Sequence, residues 1–145
     1  MSILSMISNT FSVDVKNPPA TNEEIEQLRN FSPISLPKEY IDLVLDATEI
    51  EIKVNNVMYI RIWSPLGCID MNEAYQIQKY IPKSLAIGDD EGGTALLYIE
   101  INNELGLYLC RFADPGIEEA EKIAPSLKDL LVNDIGVDVV TRRYT

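Results

Sequence analysis

Apolar positions recur along this chain first with a helical period, then with the period of two that marks strands, then helically again. Ile25, Leu28 and Phe31 follow the helical period. Thr21 and Glu24 ahead of them form a capping box, and Pro33 ends the element. Glu23, Glu24 and Glu26 suit the positive end of that helix. A second helix is predicted from Pro37, a residue tolerated at the first helical position, with Tyr40, Ile41, Val44 and Leu45 inward and Glu39, Asp42 and Asp46 outward. Residues 50–54 and 58–63 then alternate as strands. A two-residue loop between them would set Ile60 opposite Glu51 and Met58 opposite Lys53, mixing the faces. A three-residue loop over 55–57 pairs Val54 with Met58, Ile52 with Ile60 and Ile50 with Ile62, and sets Glu51 across from Arg61. A slip of one residue inverts every side chain, so the second register is predicted.

Further along, Ser64-Pro65-Leu66-Gly67 reads as a turn and Cys68-Ile69 as a short strand. Asp70 and Glu73 then cap a helix lined by Ala74, Ile77 and Ile81 and ended by Pro82. Residues 84–87 make a short strand, and residues 94–101 and 107–112 a hairpin around 102–106. Ser126, with Asp129 three residues on, caps a last helix with Leu127, Leu130 and Leu131 inside and Gly136 at its stop. Helices, then hairpin-linked strands, then a helix predict an α+β fold: a mainly antiparallel sheet of about five to six strands with helices packed against it. Residues 1–17 read as a loose N-terminal arm, 18–136 as a single domain entered through Asn17-Pro18-Pro19, and 137–145 as a C-terminal tail. The ending Thr141-Arg142-Arg143-Tyr144-Thr145 is too short for a nucleic-acid arm.

Charge changes the picture more than size does. The 145 residues carry 23 acidic against 12 basic side chains, a net −11. Such a field repels nucleic acid and anionic membrane surfaces, and draws in a basic protein; by itself it also keeps a protein soluble. There is no histidine, which removes the usual near-neutral base, the serine and cysteine triads that need it, and the commonest zinc ligand. Cys68 and Cys110 sit in apolar sequence and read as small buried hydrophobes in a reducing compartment. Residues 1–11 lack the basic start of a signal peptide, and no segment approaches the ~20 apolar residues that span a bilayer; a cytoplasmic monomer or weak homodimer without cofactor or metal is expected.

Two acidic segments are the candidate sites. Asp89, Asp90 and Glu91 lie in Ile87-Gly88-Asp89-Asp90-Glu91-Gly92-Gly93, a glycine-flanked turn opening into a strand. Their spacing lacks the alternate ligands of a calcium loop, and adjacent carboxylates have nothing to divide acid from base roles. Asp89 and Asp90 suit backbone bonding within the turn while Gly92 and Gly93 take positive φ, and a second role in meeting Arg and Lys of a partner is open to all three carboxylates. Asp114, Glu118 and Glu119 follow in a second acidic loop that reads first as a solvated surface; if both loops lie on one edge of the sheet they form an anionic patch. Trp63 reads as a core anchor and Tyr40 as structural, while Tyr59, Tyr98 and Tyr108 on strands are open to binding roles. Ser84 and Thr94 have no base to make them nucleophiles.

Leu36-Pro37-Lys38-Glu39-Tyr40 with Leu43 and Leu45, the run from Pro82 to Gly93, Gly106-Leu107-Tyr108 and Ser126-Leu127-Lys128-Asp129-Leu130-Leu131 occur in an order and spacing that resembles the SUKH superfamily, in its Smi/Knr-type branch, over about Pro18 to Val132. The glycine that family members usually carry after the second helix is replaced by Ala47-Thr48-Glu49. The resemblance implies an α+β protein-binding domain with no shared catalytic residues. It implies an immunity protein that neutralises a cognate toxin domain, such as a basic nuclease, by direct binding; the alternative is a regulatory scaffold or adaptor of the fungal, cell-wall-synthesis type.

Overall fold

The computed structural model describes residues 2–142. One antiparallel sheet of seven strands runs in chain order: β1 (Phe11–Asn17), β2 (Thr48–Val54), β3 (Met58–Ile62), β4 (Ser84–Asp89), β5 (Thr94–Ile101), β6 (Glu104–Arg111) and β7 (Glu121–Ala124). Six helices accompany it: α1 (Asn22–Phe31), α2 (Lys38–Val44), α3 (Pro65–Ala74), α4 (Ile77–Tyr80), α5 (Leu127–Asn133) and α6 (Val137–Val140). The α+β class stands. The strand count exceeds the expected five to six because both edge strands, β1 and β7, are weakly apolar and escape a search for alternation.

The last part of the loose arm expected over 1–17, Phe11–Asn17, is instead a strand of the sheet. Phe11 is buried, and β1 pairs along β2 from Phe11↔Val54 to Asn17↔Thr48. Ahead of it, Ile3 is buried in a short 3-10 turn, and the Ser8 amide donates to the Leu131 carbonyl at 3.0 Å. Part of the expected tail, Val137 to Val140, is helix α6; Arg143, Tyr144 and Thr145 lie outside the described residues.

The first hairpin has the predicted register, with Val54↔Met58, Ile52↔Ile60, Ile50↔Ile62 and Glu51↔Arg61. The capping box of α1 forms, with the Glu24 amide donating to Thr21 Oγ1 at 3.1 Å and the Thr21 amide to Glu24 Oε1 at 2.8 Å. In α2 the inner face is Tyr40, Leu43 and Val44; Leu45 is exposed and Glu39 is half-buried, reversing two expectations. The second hairpin turns on Asn102 and Asn103 alone, both at positive φ, so β6 begins at Glu104 rather than Leu107. Two consecutive left-handed residues match the twist of the strands they join, and asparagine tolerates that conformation.

The largest departure is at residues 64–81. Ser64 accepts from the Gly67 amide at 3.0 Å and Pro65 fills the first turn, so α3 starts here; the expected turn, the Cys68-Ile69 strand and the Asp70 cap are absent. Ser64-Pro65 was a capping signal as much as a turn signal. The helix breaks at Gln76, which is left-handed (φ 52°), before α4. The break turns Ala74 outward while Ile77 and Ile81 stay buried.

This helix completes the sheet. After Trp63 the chain leaves β3, and β4 loses its neighbour there. Asn72, fully buried, takes its place: its amide NH2 donates to the Ala86 carbonyl at 2.8 Å, and its oxygen accepts from the Ala86 amide at 3.0 Å. The same NH2 donates to the Cys68 carbonyl at 2.7 Å, and Gln78 Nε2 donates to both Asn72 Oδ1 (2.9 Å) and the Ser84 carbonyl (3.0 Å). Asn72→Ala leaves buried groups of Ala86 unpaired, and urea unfolding is expected to show a loss of about 3 kcal/mol.

Glu39 is half-buried and lacks a full set of partners among the described residues. Its Oε2 is shielded and accepts no bond among the described residues. Burial, opposed by its own backbone amide and reinforced by Asp129 and Asp42, pushes this carboxyl above its ordinary 4.5. The folded state therefore holds the proton more tightly than the unfolded chain does. Its stabilising contribution is full below pH 4.5 and is lost as pH rises through the folded-state value. Glu39→Gln is expected to remove that fall and raise the urea midpoint at neutral pH, as paired unfolding curves across this range would measure.

Candidate functional site

Strand register gathers the first acidic segment. Glu51↔Arg61 and Arg61↔Asp89 pair directly, so Glu51, Arg61 and Asp89 form a row on one face of β2, β3 and β4. Arg61 bonds Glu51 through Nη2, and its Nε lies 3.8 Å from Glu91 Oε2. Gly88 beside this row presses on the Arg61 carbonyl, where a Cβ would collide with backbone.

The turn itself is built by its aspartates. Asp89 Oδ2 accepts from the Trp63 indole at 3.0 Å and Oδ1 from the Glu91 amide at 2.8 Å. Asp90 is buried, and its Oδ1 accepts from the Gly92 and Thr94 amides at 2.8 and 3.0 Å. Positive φ falls on Glu91 (58°) and Gly93 (96°), not on Gly92 as expected. Of the three carboxylates, only Glu91 is left facing outward. Desolvation, then the nearby Glu51, pushes its carboxyl above the ordinary range, Asp89 adds to this, and Arg61 opposes it.

The second acidic loop starts beside the first. Thr94 pairs with Arg111, and the Phe112 amide donates to the Gly93 carbonyl at 3.0 Å. Glu119, in a 3-10 turn over Ile117–Glu119, and Asp90 border one cleft of about 270 Å³, together with Glu121, Arg111 and Arg142. Arg142 closes part of that cleft by pairing with Glu121 at 3.0 Å. Asp114 and Glu118 are exposed. The two loops therefore share one end of the sheet, an arrangement the sequence left open.

An aromatic ladder crosses the same end. Tyr75 stacks on Phe112 with ring centres 4.2 Å apart, and Phe112 lies 6.3 Å from Trp63. Trp63 is buried, as expected of a core anchor, whereas Tyr75 is 42 % exposed and Ile117, on the second acidic loop, 50 %. This ladder has no signature in the sequence: Tyr75 reads as one more position of an unbroken helix, whereas the helix breaks at Gln76 just after it.

The other candidates have structural employment. Tyr40 donates to the Trp63 carbonyl at 2.8 Å, Tyr98 accepts from the Leu127 amide at 2.8 Å, and Ser84 donates to the Ile81 carbonyl at 2.7 Å. Tyr59, on the open face of β3, donates to Asp14 at 2.8 Å. Cys68 and Cys110 are free and buried, and burial pushes the Cys68 thiol up to about 12. Among the described residues no group of carboxylates and thiols is arranged to hold a metal ion, and no helix is long and apolar enough to cross a membrane.

The model of the SMI1 / KNR4 family (SUKH-1) matches residues 19–133 of this chain. The chain belongs to the SMI1/KNR4 family. No curated protein matches it. The SMI1/KNR4 match takes in both acidic loops and the Tyr75–Phe112 ladder, and leaves β1 and α6 outside. Membership supports a role as an immunity protein or a Smi/Knr-type regulator.

Because Asp90 satisfies the turn's amides, Asp90→Ala is expected to cost about 2 kcal/mol in thermal unfolding and to shift the amide resonances of residues 89–94. Glu91→Gln should leave stability nearly unchanged, since its backbone, not its side chain, completes the turn.

Proposed function

We propose that this chain is a non-enzymatic immunity protein that binds a cognate toxin domain and blocks it. The observation that carries the reading is the convergence of two acidic loops at one end of a sheet within an SMI1/KNR4 domain. A nuclease must present cations to bind phosphates. Carboxylates on a preformed surface can occupy those cations in place of nucleic acid. Glu91, Asp114, Glu118 and Glu119 are the side chains we assign to that contact, while Asp89 and Asp90 hold the turn that presents it. The net −11 adds long-range attraction, which acts on the association rate more than on the final contacts.

The test is growth rescue. The C-terminal domain of a large protein encoded beside this chain is expressed with and without it. Rescue by the parent is expected, together with an association rate that falls about tenfold between low and high salt. The variant Glu91→Gln, Asp114→Asn, Glu118→Gln, Glu119→Gln keeps the turn intact and should bind more weakly, with a flatter salt dependence. Failure of the parent to rescue from a toxic domain excludes that partner, and binding without any salt dependence overturns the electrostatic part of the reading.

A further inference from the structure

Within this binding reading, we infer that the energetic centre of the surface is the exposed edge of the aromatic ladder at Tyr75 and Phe112, and that its occupant is an arginine of a basic protein. Three observations meet here. Tyr75 is stacked on Phe112 at 4.2 Å yet 42 % exposed, so its ring is braced on one side and open elsewhere. The brace extends through Phe112 to buried Trp63, and the Trp63 indole holds Asp89, so ladder and acidic turn are one rigid unit. Carboxylates follow the ladder closely in the chain: Glu91, which Arg61 meets at 3.8 Å, comes two residues after the Asp89 that Trp63 holds, and exposed Asp114 comes two residues after Phe112.

An exposed aromatic ring on a surface that carries carboxylates fits a guanidinium better than any other side chain. Its flat face stacks on a ring, while its N–H fork meets carboxylate oxygens. A lysine ammonium meets the charge but not the ring. Ile117, half-exposed on the same loop as Asp114, supplies apolar area that the aliphatic part of such a partner can cover. A braced tyrosine loses little side-chain freedom on binding, which is why aromatic anchors of this kind dominate contact energies.

The test uses defined probes on the full chain. Isotope-labelled protein is titrated with acetyl-Arg-Leu-Arg-amide and, in parallel, acetyl-Glu-Leu-Glu-amide. The arginine peptide alone is expected to shift the resonances of Tyr75, Phe112, Glu91 and Asp114. Tyr75→Ser should weaken that binding about tenfold, Tyr75→Phe should retain it, and Tyr80→Ser, at an exposed tyrosine outside the ladder, should leave it unchanged. Shifts centred elsewhere, an equal response to the glutamate peptide, or parent-like binding by folded Tyr75→Ser would overturn the proposal. The growth assay separates the two readings. Rescue by the parent with undiminished rescue and affinity in Tyr75→Ser would sink this surface and leave immunity standing. No rescue by the parent, with the arginine peptide still mapping to Tyr75, would exclude that toxic domain as the partner and leave this surface standing.

Discussion

The structure depends on what happens to β4 where β3 leaves the sheet. A strand with one open side in a protein interior would expose unpaired amides and carbonyls at a cost comparable to the chain's whole stability. Asn72 removes that cost with one side chain, donating to and accepting from Ala86 while Gln78 ties the next stretch. Because Asn72 lies on α3, the same bonds fix the helix against β4. Everything at the candidate surface hangs on this joint: β4 ends in the acidic turn, and α3 ends at Tyr75.

The acidic turn uses its charges in two ways. Asp89 and Asp90 are spent on backbone amides and an indole, bonds in which an ionised acceptor is stronger than a neutral one. Glu91 remains, close to Glu51 and Asp89 and paired with Arg61. A surface that holds like charges close together stores repulsion, and a cationic partner relieves it. Charge that destabilises the free protein slightly thereby becomes favourable on binding, in the way preorganised sites generally work.

The family frame and the local surface answer different questions. The SMI1/KNR4 match places residues 19–133 in a family. In the reading proposed here, the choice of partner rests on side chains at the sheet's end, including Tyr75 and Phe112. Function is argued from such a site rather than from a fold.

What the sequence determined by itself was local or strictly periodic. The capping box at Thr21 and Glu24 closes within one turn, and the β2–β3 register follows from alternation plus one charge pair, since any slip would bury Glu51 and Arg61. The acidic turn and its bonding role were legible because Asp next to Gly carries its own backbone chemistry. Tertiary structure decided the rest. β1 is held by β2 and not by its own apolar content, so it read as a loose arm. Ser64-Pro65 fits a turn or a helix start equally well, and only the need to cover Ala86 with Asn72 selects the helix. The meeting of the two acidic loops, and of Tyr75 with Phe112, joins residues far apart in the chain, and neither partner carries a mark of the other in its neighbourhood; sheet order brings the loops together, and the bonds of Asn72 that seat α3 on β4 bring Tyr75 to Phe112.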